Sequence, residues 1–92
     1  MGMSETLKAI SDPVRRAILE MLKKEKKSAG EIAEKFNLTG ATVSYHLSQL
    51  KKADVITESK YKNFIYYEIN ISVFEEVLTW IYNLGGINNE KN

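Results

Sequence analysis

Ninety-two residues, 43% of them hydrophobic and 27% charged, with one proline and five glycines, form an ordinary globular composition and bound the chain to one small domain. There is no cysteine, so disulfides, thiolate metal sites and cysteine nucleophiles are excluded. The net charge of +1 hides a split: residues 1–67 hold 12 Lys/Arg against 8 Asp/Glu, whereas residues 68–92 hold one Lys against four Glu. The first part suits a polyanion and the last does not, although a solvated surface can carry the same imbalance. No apolar run reaches membrane-spanning length and residues 1–10 lack the apolar stretch of a signal peptide, so a cytoplasmic protein without membrane insertion is expected.

A first helix is expected over residues 4–10, with Leu7 and Ile10 inward. Asp12-Pro13 then supplies an N-cap and a proline at the first helical position. Val14, Ala17, Ile18, Met21 and Leu22 follow at helical spacing, which makes the second helix the plainest in the chain. Lys23 and Lys24 fall in its last turn, with Lys26 and Lys27 just beyond, and helix-end electrostatics suffice to explain them. Arg15 and Arg16 lie in its first turn, where cations oppose the dipole; a phosphate contact or an ion pair to a nearby Glu would account for them.

Ser28-Ala29-Gly30-Glu31 has capping-box spacing and predicts a short helix to about Phe36, with Ile32, Ala33 and Phe36 inward. Asn37-Leu38 makes a tight turn, and Thr39 caps a fourth helix whose inward stripe is Val43, Leu47 and Leu50. Two short helices so closely joined have helix-turn-helix spacing. The period then changes: residues 55–58 and 64–69 are rich in β-branched and aromatic residues, with residues 59–63 between them, giving a β-hairpin with a basic tip. Ser72-Val73-Phe74-Glu75 offers another capping box, opening a last helix to about Leu84. The Gly85-Gly86 pair and the polar residues after it read as a flexible tail over 85–92, leaving residues 1–84 as the folded domain. The fold expected is mainly α with a small hairpin: a winged helix-turn-helix with a flanking helix at each end.

On the fourth helix, Ala41, Tyr45, Ser48 and Lys52 point away from the core, and Thr42, Ser44 and Gln49 lie on the shoulders. A purely solvated face more usually mixes Glu and Lys, yet no acidic residue occurs from Thr39 through Ala53. Such a face suits the major groove, where Gln bonds adenine bidentately and Ser or Thr bonds either kind of base. Thr42, Ser44, Tyr45 and Gln49 are the candidate base readers. Thr39, Gly40 and Ala41 open the helix, where backbone N–H groups attract phosphate. His46, the sole histidine, sits between core and surface; packing or a phosphate hydrogen bond suits it, and no partner group is placed for catalysis. Lys60 and Lys62 flank Tyr61 at the hairpin tip, suited to phosphates or the minor groove, though lysines also blunt strand edges. Arg16 joins this set as a candidate phosphate contact.

Apolar residues of the last helix, from Phe74 through Val77, Leu78, Trp80 and Ile81 to Leu84, span about 200° of arc, where one core face needs only about 100°. The surplus, with Leu7, is expected to bury against a second copy, placing two reading helices roughly 34 Å apart on a near-palindromic DNA site.

Several blocks together carry a family resemblance: residues 8–19 (KAISDPVRRAIL), 29–33 (AGEIA), 42–47 (TVSYHL) with 50–53 (LKKA), and 64–67 (FIYY). In this order and spacing, from about Leu7 to Ile81, they resemble the ArsR/SmtB transcriptional repressors, and within them the SdpR branch of autorepressors that lack the metal sites. The resemblance implies a homodimer joined through the first and last helices that binds an operator near its own gene. Departures bear on mechanism. Ser28 and Gly30 stand where arsenic-type sensors carry a Cys-x-Cys pair, and no His follows His46 to build a zinc site with Glu75 and Glu76, so no metal or other cofactor is expected. Asp54 stands where relatives often have Gly, requiring a left-handed Asp or another helix stop, and Gly40-Ala41 replaces a frequent Gln-Pro. The expected function is sequence-specific repression without metal sensing, relieved by a protein partner, an organic ligand or dilution. The competing reading is a winged-helix protein-interaction module, indifferent to DNA. An enzyme is not expected.

Overall fold

The computed structural model describes residues 2–85. In chain order these form α1 (Met3–Ile10), α2 (Pro13–Lys24), β1 (Lys27–Ser28), α3 (Ala29–Phe36), α4 (Gly40–Lys52), β2 (Ile56–Tyr61), β3 (Phe64–Ile69) and α5 (Ile71–Gly85). This is a winged helix-turn-helix with a flanking helix at each end. The strands make one antiparallel sheet in the order β1-β3-β2.

The capping signals act where the sequence places them. Asp12 Oδ1 accepts the backbone N–H groups of Val14 at 2.8 Å and Arg15 at 3.1 Å. The Arg15 amide above all, then the Val14 amide and the Arg15 guanidinium, hold the Asp12 carboxyl below its usual range. The cap therefore contributes fully above the ordinary carboxylate pKa and is lost as pH falls through the depressed one. Ser28 Oγ accepts from the Glu31 amide at 3.2 Å while Glu31 Oε1 accepts from the Ser28 amide at 2.9 Å, a complete capping box. Thr39 Oγ1 accepts from the Thr42 amide at 3.1 Å.

Two helices stop on left-handed residues, Asn37 (φ 55°) after α3 and Asp54 (φ 61°) after α4. At each, a pair of amides turns back on the last carbonyls: Leu38 to Ala33 and Asn37 to Glu34, then Val55 to Leu50 and Asp54 to Lys51. Glycine would hold the same conformation without the Cβ penalty. Asp54→Gly is therefore expected to stabilise the protein by about 0.5 to 1 kcal/mol, read as a rise in Tm at fixed protein concentration. An unchanged or lower Tm would show that the aspartate side chain offsets the strain.

The core gathers Ile18, Leu22, Ile32, Val43, Leu47, Leu50, Ala53, Val55 and Ile56, with Leu19 buried beside them. In α1 the inward residues are Thr6 and Ala9, while Leu7, expected inward, is 38% exposed. Small side chains let α1 approach α2 and α4 closely, and the longer Leu7 is left outside.

The hairpin is tighter than its sequence suggests. β2 pairs one for one with β3 out to Tyr61↔Phe64, so residues 59–61 belong to the strand and the turn is Lys62-Asn63, with Lys62 at φ 56°. β1, not foreseen, pairs Lys27↔Tyr67 and Ser28↔Tyr66. The lysines near it have partners besides a helix end: Lys27 Nζ lies 2.8 Å from Glu25, and Lys26 Nζ lies 5.6 Å from the centre of the Tyr66 ring.

The last helix starts at Ile71, one residue ahead of the expected Ser72 cap. Asn70 fixes the start: its amide donates to Val55 O at 2.9 Å, its Nδ2 to Asp54 O at 2.9 Å, and its Oδ1 accepts from Ser72 Oγ at 2.8 Å. The helix continues through Gly85, and the tail expected over 85–92 otherwise lies outside the described residues.

Candidate nucleic-acid interface

The exposed side of α4 carries Ala41, Thr42, Ser44, Tyr45 and Ser48, with Tyr45 58% exposed and Gln49 half-buried beside it. Val43, Leu47 and Leu50 anchor the opposite side, so core packing sets the rotation of the helix. At its N-terminus Thr39 Oγ1 donates to Thr42 Oγ1 at 2.9 Å, tying the two hydroxyls together. A Cβ added at Gly40 would meet nothing within 4 Å, so packing within the chain does not require glycine there.

Between α4 and the sheet, Ser44, Leu47, Ser48, Lys51, Lys52 and Tyr67 line a groove of mixed character. Lys51 Nζ reaches Glu58 at 3.0 Å and ties α4 to β2. Tyr67 borders this pair; burial first, then the Glu58 charge, push its phenol above the usual range. At the end of the hairpin Lys60, Tyr61 and Lys62 are all exposed, and Lys62 Nζ sits 5.4 Å from the centre of the Tyr61 ring. The wing tip and the exposed side of α4 thus share a lack of acidic residues.

The two arginines serve a purpose that the sequence reading did not consider. Arg16 Nη1 donates to Ile10 O at 3.0 Å and Ser11 O at 2.8 Å. Arg15 Nε donates to Ala9 O at 2.6 Å, its Nη2 to Lys8 O at 3.5 Å, and its Nη1 lies 3.2 Å from His46 Nδ1. Cations unfavourable to the head of their own helix therefore serve the carbonyl end of the preceding one. Neither arginine makes an ion pair to Glu among the described residues. His46 itself is only 8% exposed and lies behind the outer face of α4, with its ring 5.4 Å from that of Tyr45 in an edge-on arrangement.

Most of the expected contact face between copies is open. Leu78, Trp80, Ile81 and Leu84 are exposed along α5, as is Leu7 on α1. Val77 differs, at 7% exposure, because it faces a cleft shared with Met3, Thr6 and Ala53 of its own chain. Phe74 is half-buried and packs on the protomer core. The root of α5 thus belongs to the protomer and its outer half does not.

Comparison with known proteins agrees with this geometry. A family described as a helix-turn-helix domain matches residues 10–59. The transcriptional repressor SdpR of Bacillus subtilis (strain 168) is 44% identical over 81 residues, covering 88% of this chain and 90% of that protein. An ArsR-like transcriptional regulator from Rhodococcus sp. RHA1 superposes with a TM-score of 0.84 at 20% identity, over 90% of this chain and 78% of that one. The chain belongs to the ArsR family. A further solved structure in the comparison, a homodimeric winged helix-turn-helix DNA-binding domain from Mycobacterium bovis, has a TM-score of 0.74 at 19% identity, over 97% of this chain and 83% of that one. The family's winged fold accounts for the helix order and the hairpin seen here. No described helix is long and apolar enough to cross a membrane.

Proposed function

We propose that this ArsR-family protein is a homodimeric repressor that reads a near-palindromic operator by placing α4 in the major groove and its wing beside it. The exposed, acid-free side of α4 carries the reading, because a helix set in a phosphate-lined groove must present hydrogen-bonding groups without negative charge. Thr42, Ser44, Tyr45 and Gln49 contact or approach base edges. The first turn, with Gly40 and Ala41 behind the Thr39 cap, offers amides to a phosphate, and an open Gly40 lets the backbone come close. Lys60, Tyr61 and Lys62 contact the backbone or minor groove from the wing. Arg16, already bonded to the end of α1, adds charge at the edge of this surface, and His46 acts from behind it.

The dimer joins the outer half of α5 and Leu7 to the same surface of a second copy. Support comes from the large apolar side chains exposed there, Leu84 at 71% among them, and from the homodimer formed by the Mycobacterium bovis relative. Control of the protein's own gene is what the resemblance to the autorepressor branch implies, and the likeness to the transcriptional repressor SdpR supports the repressor part of that reading. Metal sensing does not fit the donor set: the chain has no cysteine and one histidine, and no three His, Cys, Asp or Glu among the described residues cluster to hold an ion. A protein partner, an organic ligand or dilution would each relieve repression in this reading.

The test is a titration of DNA from immediately upstream of the gene against scrambled DNA of equal length, at two salt concentrations. Preference for the native sequence, with affinity falling as salt rises, is expected. Lys60→Ala and Lys62→Ala should weaken binding to both DNAs and reduce the salt slope by about one each. Absence of binding at either salt would favour the protein-interaction reading instead.

A further inference from the structure

Arg15 is placed to do more than cap a helix. Its guanidinium reaches Ala9 O and Lys8 O at the end of α1 and, from its other edge, His46 Nδ1 on the inner side of α4. His46 in turn lies edge-on to Tyr45, an exposed residue of the reading face. A guanidinium can only donate, so this contact requires Nδ1 to be the acceptor and the ring proton to sit on Nε2. A proton on Nδ1 would replace the bond with two facing donors, both on cations.

We infer that Arg15 and His46 are positioning residues that set α4 and Tyr45 against the end of α1, and that operator recognition weakens when His46 Nδ1 is protonated. The inference rests on the reading of α4 as the DNA-contacting helix. Around the ring, Asp12 at the cap of α2 and Arg15 in its first turn bear charge, the adjoining α1–α4 cleft carries Glu5, Lys8 and Lys52, and Tyr45 is the titratable neighbour on α4. The two pH values compared are set by the ring itself: one at which its spectra show a neutral imidazole and one at which they show protons on both nitrogens.

Because the chain has one histidine, long-range proton–nitrogen NMR spectra of the full-length protein report on this ring alone. At the higher of the two pH values they should show Nδ1 bare and the proton on Nε2. His46→Asn keeps an acceptor near the Nδ1 position without its titration, and Arg15→Lys keeps the charge without the fork. The readout is affinity for operator relative to scrambled DNA at the two pH values, which cancels any general gain in phosphate binding. The wild type should lose about tenfold in this ratio at the lower pH, the order of one hydrogen bond to a charged group, while His46→Asn stays within about threefold and flat. Arg15→Lys should show the weakened ratio at both pH values. A proton on Nδ1 at the higher pH, or the same pH dependence in His46→Asn as in wild type, would overturn the inference. The expected tautomer in a protein that binds no DNA at either pH would overturn the DNA reading itself, and the positioning role with it.

Discussion

Trp80→Ala is expected to convert the dimer to monomer at concentrations where the wild type remains paired. The indole is 45% exposed in the protomer and lies one helical turn from Leu84 on a helix whose outer half has little of its own chain to pack on. An aromatic anchor buried between two copies ordinarily contributes about 2 to 4 kcal/mol, roughly 30-fold to several hundredfold in the dissociation constant. Sedimentation equilibrium reads the effect directly. The same residue also reports on the wild type: Trp80 is the sole tryptophan, so its emission should shift to the red on dilution as the indole returns to water. Operator affinity should fall in parallel, since one reading helix cannot span two half-sites. A Trp80→Ala protein that remains dimeric at equal concentration would move the interface away from α5.

Removing a reading side chain should separate specific from non-specific binding. Tyr45→Ala and Gln49→Ala are each expected to cost about 1 to 3 kcal/mol on the operator, roughly fivefold to 150-fold, with little change on scrambled DNA. Both residues have their Cα on a helix fixed from behind by Val43, Leu47 and Leu50, so neither substitution disturbs the core stripe. Circular dichroism and the dimer constant should therefore match the wild type. Equal losses on both DNAs would make the residue a phosphate contact and remove it from the base readers.

Much of the fold was legible because it rests on local rules. Asp12-Pro13, Ser28 with Glu31, and Thr39 each start a helix by bonding amides two or three residues ahead, and such bonds depend on nothing distant. The left-handed Asp54 was one of two helix stops that the resemblance left open, because relatives often carry Gly there. What was missed depends on contacts across the chain. β1 is two residues long and exists only because β3 lies beside it. Ser72 has capping spacing, but Asn70 is already held by Asp54 and Val55 and fixes the helix start. Val77 falls on the apolar arc assigned to a partner, yet packing within the protomer claims it. The arginines showed their anomaly in sequence as cations at a helix head; what they serve, the carbonyls of α1, is visible only once the two helices meet. The α4 surface itself was legible because three apolar residues at helical spacing settle which way all the others face.

The division of α5 into a root anchored in the protomer and an outer half exposed along its length bears on how the protein answers to its own abundance. Val73, Phe74 and Val77 hold the root, while Leu78 to Gly85 leave every side chain open to solvent. In the proposed dimer a second copy supplies the cover that this outer half lacks, so dissociation would return its apolar side chains to water. Pairing and operator occupancy would then rise together, and in the dilute range occupancy would climb with the square of protomer concentration. With an operator beside its own gene, as proposed, that steepness would let synthesis continue while the chain is scarce and shut it off over a narrow interval once it is not.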